Sequence, residues 1–352
     1  GVKSTPIKGS PGNARRFLGK IKLKFATINF EGAAEPIVAL EEKEPRLLKD
    51  VCKKLNAPNF DCLENFISSI PSNENFFFSL KDSIPKSPII KIMDHSWLPP
   101  VRKPGKILGV AFNNKELMKK AHKDPGVPNF FLKPSSSLQA HMKEIAVDPT
   151  WGAVIPEPEV CAIIGIGGKN ISKDRALDHI FGYSILNDVT SHGLKFGKDS
   201  IAVTYDPDMA REEFYNWRNL KDENDRDVYY VYHTRSKGTD TFGPMGPWIT
   251  YKEEVGNPNE LKVKASLNGK VFTEDSTANY RFSIEDCVSE ASKYFTLEPG
   301  DIISFGTTGK GNSDFPRGHK SVLLGEVSGE ITIEVPELGT LRNTIFHKTG
   351  GL

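Results

Sequence analysis

Alternating or unbroken short apolar runs dominate this chain, and helical spacing of apolar positions is confined to a few segments. Ile21 to Phe30 and Ala34 to Leu40 read as strands, whereas Arg46 to Leu55 and Phe60 to Ile70 repeat apolar residues at roughly helical spacing. The first hundred residues therefore read as a small mixed α/β domain, residues 1–100. Pro85-Lys86-Ser87-Pro88 and Pro99 to Pro104 mark its boundary. Lys106 to Phe112 is a strand pattern feeding a helix from Lys115 to His122, and a second domain, residues 103–352, continues as short β-rich runs punctuated by Gly and Pro. Further helices are expected only near Asp174 to His179 and Ser283 to Lys293. The prediction is an α+β protein, predominantly β, with a rolled or closed sheet rather than a doubly wound one.

The segment Ile155-Pro156-Glu157-Pro158-Glu159-Val160 opens the apolar run Val160 to Ile166 with two carboxylates two residues apart. Residues i and i+2 of a strand share a face, so Glu157 and Glu159 can converge on one point. A third acid, Asp188, lies near the end of the strand pattern Gly182 to Val189. Singly, each is an ordinary exposed or turn acid. Beside buried strands, carboxylates must be solvated, paired or ligated. Three hard oxygen donors without a His pair favour Mg2+, with Mn2+ or Ca2+ as alternatives, over zinc. Lys237, in the Gly-rich stretch Arg235 to Trp248, is either a surface residue or a cation placed over a bound enolate or carboxylate. His122, His141, His192 and His233 have no local partner that marks them as catalytic, and Tyr183 is expected to pack with its hydroxyl near the rim. Gly309-Lys310-Gly311 is no phosphate-binding loop, because Gly311 stands where Ser or Thr is needed.

Composition narrows the classes. With 46 basic and 45 acidic residues among 352, the net charge of +1 offers no general attraction to nucleic acid. Four scattered cysteines suggest neither a zinc site nor an oxidising compartment. No run approaches the ~18 apolar residues of a membrane span, and the start has no apolar signal core, so a soluble cytoplasmic protein is expected.

In order and spacing, FFLKP (130–134), IPEPEVCAIIG (155–165), GYSILNDVT (182–190), RSKGTDTFGPMGPW (235–248), LEPGDIISFGTTGKG (297–311) and GEITIEVPELGTLRNTI (329–345) resemble the fumarylacetoacetate hydrolase family over about residues 103–352. The resemblance implies a mixed β-roll, usually homodimeric, with Mg2+ or Mn2+ held by Glu157, Glu159 and Asp188. It implies that the cation chelates a small 2-oxo acid, that Lys237 stabilises charge on its oxygens, and that Thr307 and Thr308 contact its carboxylate. Family chemistry spans C-C hydrolysis, decarboxylation, tautomerisation and dehydration of 2-keto-3-deoxy sugar acids, all through a metal-bound enolate.

Hydrolytic members follow their first core strand with an Asn-Tyr turn and a lid helix bearing a His and Glu dyad. Here Phe112 stands where Tyr is common, Lys115 falls near the His position and Met118 near the Glu position. Dehydration needs a base at C3 and an acid at the C4 hydroxyl rather than an activated water. The expected function is therefore a lyase that dehydrates a 2-keto-3-deoxy sugar acid, with its acid or base drawn from Lys115, Glu116, Glu144 or Lys237. The alternative is a C-C hydrolase or oxo-acid decarboxylase in which His122 replaces the missing histidine. A binding protein without turnover is a third reading. Asn113-Asn114, His192-Gly193 and Asp206 to Asp227 are expected to set specificity.

Overall fold

The structure, a computed structural model, describes residues 21–70, 74–307 and 309–349. It is predominantly β, with two large sheets. The larger has ten strands, in the order Lys43–Leu47, Ala33–Leu40, Leu23–Phe30, Ile249–Tyr251, Ile180–Asn187, Pro158–Ile164, Ile302–Thr307, Ile107–Ala111 and Asn129–Lys133, with Trp97–Leu98 paired to Leu23–Phe30. Its two end strands are not joined, so it does not close into a barrel. The smaller sheet runs Lys270–Ser276, Lys262–Leu267, Glu330–Val335, Gly339–His347 and Glu144–Val147. Strands from residues 23–98 thus belong to the same sheet as those that follow the proline-rich boundary.

Strand alternation decides what each face of the larger sheet covers. Val160, Ala162 and Ile164 pack with Val263, Ala265, Phe272, Ile331 and Ile333 between the two sheets. Cys161 and Ile163 point the other way, into a cluster with Leu48, Val51, Phe66 and Leu80 of the N-terminal helices. Fully burying a side chain of this kind stabilises by about 1.5–3 kcal/mol. These central strands, buried on both faces, read as unbroken apolar runs for that reason.

The expected helices form at Leu48–Lys54, Leu63–Ser69 and Ile284–Tyr294. The last begins at a capping box, in which Ser283 Oγ accepts from the Asp286 N-H and Asp286 accepts from the Ser283 N-H. Asp174 to His179 lies within a 3-10 segment, Lys173–His179. The helix predicted from Lys115 to His122 is shorter, Lys115–Met118. Lys237, expected in a loop, stands in one helical turn, Thr234–Gly238. The buried carboxylate of Asp199 draws this turn in by accepting from the Ser236 N-H at 2.7 Å.

Candidate metal centre

The strand Pro158–Ile164 is hydrogen-bonded between two neighbours. Glu159 stands opposite Leu186 on one side and Thr307 on the other. One residue before the strand, the Glu157 N-H donates to Asn187 Oδ1 at 2.9 Å, and the Asp188 N-H donates back to the Glu157 carbonyl at 2.9 Å. This clasp, one bond to the Asn187 side chain and one between backbones, brings Glu157, Glu159 and Asp188 together: one carboxylate oxygen from each lies within 4.8 Å of the others. Glu159 is further held by Ser304 Oγ at 2.7 Å and the Gly306 N-H at 3.0 Å, both donating to Oε1.

Two lysines oppose the three acids. Lys237 Nζ donates to Asp188 Oδ2 at 2.7 Å, Thr190 Oγ1 at 2.8 Å and Glu157 Oε2 at 3.4 Å. Lys133 Nζ donates to Asp188 Oδ1 at 2.8 Å and to the backbone carbonyl of Lys237. Phe131 and Lys133 share one face of the strand Asn129–Lys133, and the Phe131 ring lies 4.5 Å from Lys237 Nζ. Two glycines permit this packing. A Cβ on Gly109 would fall 2.1 Å from Phe131 Cζ, and one on Gly238 would fall 2.8 Å from Pro134 Cδ.

The ionisation of these groups follows from burial and mutual charge. Burial pushes the Glu157 carboxyl up to about 7, against the pull of Lys237 and with Asp188 adding repulsion. Glu159 is raised well above the usual carboxylate range by burial and by Asp188 and Glu157. Burial also opposes ionisation of Asp188, but Lys133 and Lys237 outweigh it and hold this carboxyl below its ordinary value. Fully ionised, three carboxylates against two ammonium groups would leave one surplus negative charge. Carboxylates this close share protons unless a cation replaces them. An all-oxygen, partly buried donor set of this kind fits Mg2+ or Mn2+.

Thr307 is buried at the site, its Oγ1 donating to the Pro158 carbonyl at 3.3 Å. Thr308, the other expected hydroxyl, lies outside the described residues. Several expected residues are directed elsewhere. Tyr183 packs between the sheets at 2% exposure, its hydroxyl raised by burial and by Glu285 and Glu253 rather than by the clustered acids. Strand parity explains this, because Tyr183 alternates with Ser184 on the two faces. Lys115 Nζ donates to the Ala278 carbonyl, exposed Glu116 pairs with Lys119, and exposed Glu144 starts an outer strand of the smaller sheet. His122 is exposed, beyond the end of the shortened helix. Phe112 adopts a left-handed φ of 57° and is half exposed. Asn113, in a segment expected to set specificity, is held by backbone groups: Nδ2 donates to the Phe305 and Phe282 carbonyls, and Oδ1 accepts from the Phe282 N-H. Asn114 caps the short helix.

Sequence reasoning missed Lys133, although it lies within the quoted FFLKP stretch. A lysine two residues after an inward-facing aromatic on a strand was the available signal. It also missed a basic rim. Lys195 lies on the helix His192–Gly197, which packs against the turn carrying Lys237, and Lys320 lies on the turn Gly318–Ser321 beside the strand Val154–Ile155. Burial lowers both ammonium groups, and the Glu157 carboxylate acts on each in the opposite sense. Burial and the neighbouring lysines push His192 down to about 4, and burial, Lys320 and His192 push His319 down to about 3, so both imidazoles are neutral at pH 7. Among the described residues, no helix is long and apolar enough to cross a membrane.

Residues 106–346 match the family model described as fumarylacetoacetate (FAA) hydrolase C-terminal. The chain is 30% identical over 298 residues to a fumarylacetoacetate hydrolase domain-containing protein 2 homolog of Dictyostelium discoideum, covering 79% of this chain and 86% of that protein. It is 26% identical over 259 residues to the human mitochondrial oxaloacetate tautomerase FAHD2A, covering 73% and 72%. Among solved structures, maleylpyruvate hydrolase from Sphingobium sp. SYK-6, in complex with manganese(II) and pyruvate, has the same fold, with a TM-score of 0.64 at 22% identity over 93% of this chain and all of that one. With the family model spanning most of its length, this chain belongs to the fumarylacetoacetate hydrolase family.

Proposed function

We propose that this protein is a divalent-cation-dependent enzyme that transfers a proton at C3 of a 2-oxo acid by way of its enolate. The observation that carries this reading is the cluster of Glu157, Glu159 and Asp188 with the Lys237 ammonium buried against it. Mg2+ or Mn2+ held by these acids would supply Lewis acidity towards the 2-oxo carboxylate. The chain's own residues supply the rest. Lys237 places a cation beside the acids, where negative charge on an enolate oxygen would develop. Thr307, at the end of its strand, would turn its hydroxyl from the Pro158 carbonyl to the carboxylate end. The cluster's surplus negative charge becomes one positive charge with a divalent cation, and a 2-oxo carboxylate neutralises it.

The basic rim extends this reading to a 2-oxo acid with a second anionic group. Lys195, on the helix packed against the Lys237 turn, and Lys320, on the turn beside the strand Val154–Ile155, would supply two further cations, more charge than a monoanion needs. The oxaloacetate tautomerase among the relatives agrees with keto-enol exchange of such a diacid. Tautomerisation requires only a proton carrier, consistent with Lys115, Glu116 and His122 being turned away from the acids. Dehydration of a 2-keto-3-deoxy sugar acid is the second reading. In that reading Lys195 or Lys320, on elements packed beside the Lys237 turn and the strand Val154–Ile155, would give a proton to a departing C4 hydroxyl. Hydrolysis or decarboxylation assisted by His122 has less support, because that residue is exposed beyond the helix end.

The test is a substrate panel with Mg2+, Mn2+ or EDTA. Keto-enol exchange of oxaloacetate is followed by ultraviolet absorbance, and sugar acids and acylpyruvates are followed by mass spectrometry. Cation-dependent exchange supports the first reading, loss of one water from a sugar acid replaces it with the second, and acylpyruvate cleavage alone rejects both.

A further inference from the structure

Asp188 has two carboxylate oxygens, and each is taken by a different lysine: Oδ1 by Lys133 and Oδ2 by Lys237. The two lysines are not equivalent. Lys133 stands at the end of a strand, register-paired with Ile107, and its side chain is 1% exposed. Its second bond goes to the backbone carbonyl of Lys237, so one ammonium ties an acid of the cluster to the turn that carries the other lysine. Pro134, the next residue, packs against Gly238 and leaves this junction little freedom. Lys237 Nζ has other places to go: besides Asp188 it has Thr190 Oγ1, Glu157 and the face of Phe131.

We propose that Lys133 is a positioning residue. It locks one oxygen of Asp188 to the backbone of Lys237, leaving the second oxygen of Asp188 and the Lys237 ammonium as the pair that exchanges when a divalent cation binds. This division rests on the function proposed above. A cation needs an oxygen from Asp188, and the one bonded to Lys133 is held by an ammonium that is itself anchored to the Lys237 carbonyl. The oxygen held by Lys237 is freed by a change of partner within a side chain that already has three alternatives. Lys133 thereby preserves the spacing between the acids and the Lys237 backbone while Lys237 Nζ turns to substrate oxygens. Lys133 itself touches no substrate.

The test compares the parent with Lys133→Met. Mn2+ binding is read by paramagnetic resonance, and binding of oxalate, an enolate mimic, to the Mn2+-loaded protein is read by calorimetry. Removing Lys133 makes the acid cluster more negative but loosens Asp188. These effects oppose, so Mn2+ affinity is expected within about threefold of the parent or tighter. Oxalate binding should weaken by about tenfold or more, because the Lys237 turn has lost its tether. Lys133→Leu, which also removes the donor, carries the same comparison if the Met variant does not fold. A second measurement needs no variant: acetic anhydride labelling of the parent should leave Lys133 unmodified throughout and modify Lys237 faster once Mn2+ is added. Parent-like oxalate binding by a folded Lys133 variant, or labelling of Lys133 as fast as Lys237, overturns the assignment. Failure of the parent to bind Mn2+ instead overturns the function on which it rests.

Discussion

Phe131 lies so close over Gly109 that a methyl group at Gly109 would stand 2.1 Å from the ring, and this same ring faces the Lys237 ammonium at 4.5 Å. Gly109 therefore controls a cation that it does not touch. Gly109→Ala must push Phe131 aside, at a cost of about 1–3 kcal/mol for overpacking. Turnover should fall with it, because Lys237 loses one wall. Gly197→Ala, where an added Cβ meets nothing within 4 Å, is the control and should leave both unchanged. Thermal unfolding and steady-state kinetics read the two effects.

Glu159→Gln should separate stability from cation binding. The amide oxygen can still accept from Ser304 and Gly306, while the buried carboxylate repelled by Asp188 and Glu157 is gone. Without added metal and above neutral pH, the variant should melt a few degrees above the parent; for a chain of this size ~1 kcal/mol corresponds to about 2–4 °C. Added Mn2+ should raise the melting temperature of the parent and leave that of the variant in place. A variant that melts below the metal-free parent would refute the repulsion.

Lys237→Met removes an ammonium that faces both Glu157 and Asp188. Removing a preorganised donor from a site of developing charge typically costs about 10²–10³ in turnover. Mn2+ should still bind, since the three acids remain. Equal loss of Mn2+ binding and turnover would assign Lys237 to holding the acids instead.

Lys195→Gln and Lys320→Gln probe the basic rim. If it receives a second anionic group, each should raise KM for a 2-oxo diacid several-fold, about 1 kcal/mol per contact, with little change for pyruvate enolisation. Equal effects on mono- and diacids would show a general field rather than a recognition site.

His141 provides a pH test remote from the acids. Its Nδ1 accepts from the Arg342 N-H at 3.0 Å, so that nitrogen must be unprotonated, and burial with the Arg342 charge pushes the imidazole down to about 4. The ordinary value in the unfolded chain is about 6.5. Between these values the unfolded state binds the proton and the folded state does not. Stability is therefore lost as pH falls from about 6.5 to 4. His141→Gln should flatten this part of the melting-temperature profile.

The carboxylates of the site and most of the strands around them were legible in the one-dimensional pattern. Unbroken apolar runs occur where both faces are covered, so the strands at 158–164 and 180–187, with Glu159 at the mouth of one, follow from local spacing alone, whereas Glu157, one residue before that strand, is held by Asn187. What only the tertiary structure decided was which distant residues meet those acids. Lys133 and Lys237 are 55 and 49 residues from Asp188, and no local rule specifies the register that delivers them. The same limit governs Tyr183 and Asn113: both sit beside the strands of the acids, but parity turns the Tyr183 hydroxyl into the intersheet core and backbone carbonyls capture the Asn113 amide. Residue type and strand period therefore determine which groups can do the chemistry, whereas long-range pairing, set by the burial of whole faces, decides which of them share one charge balance.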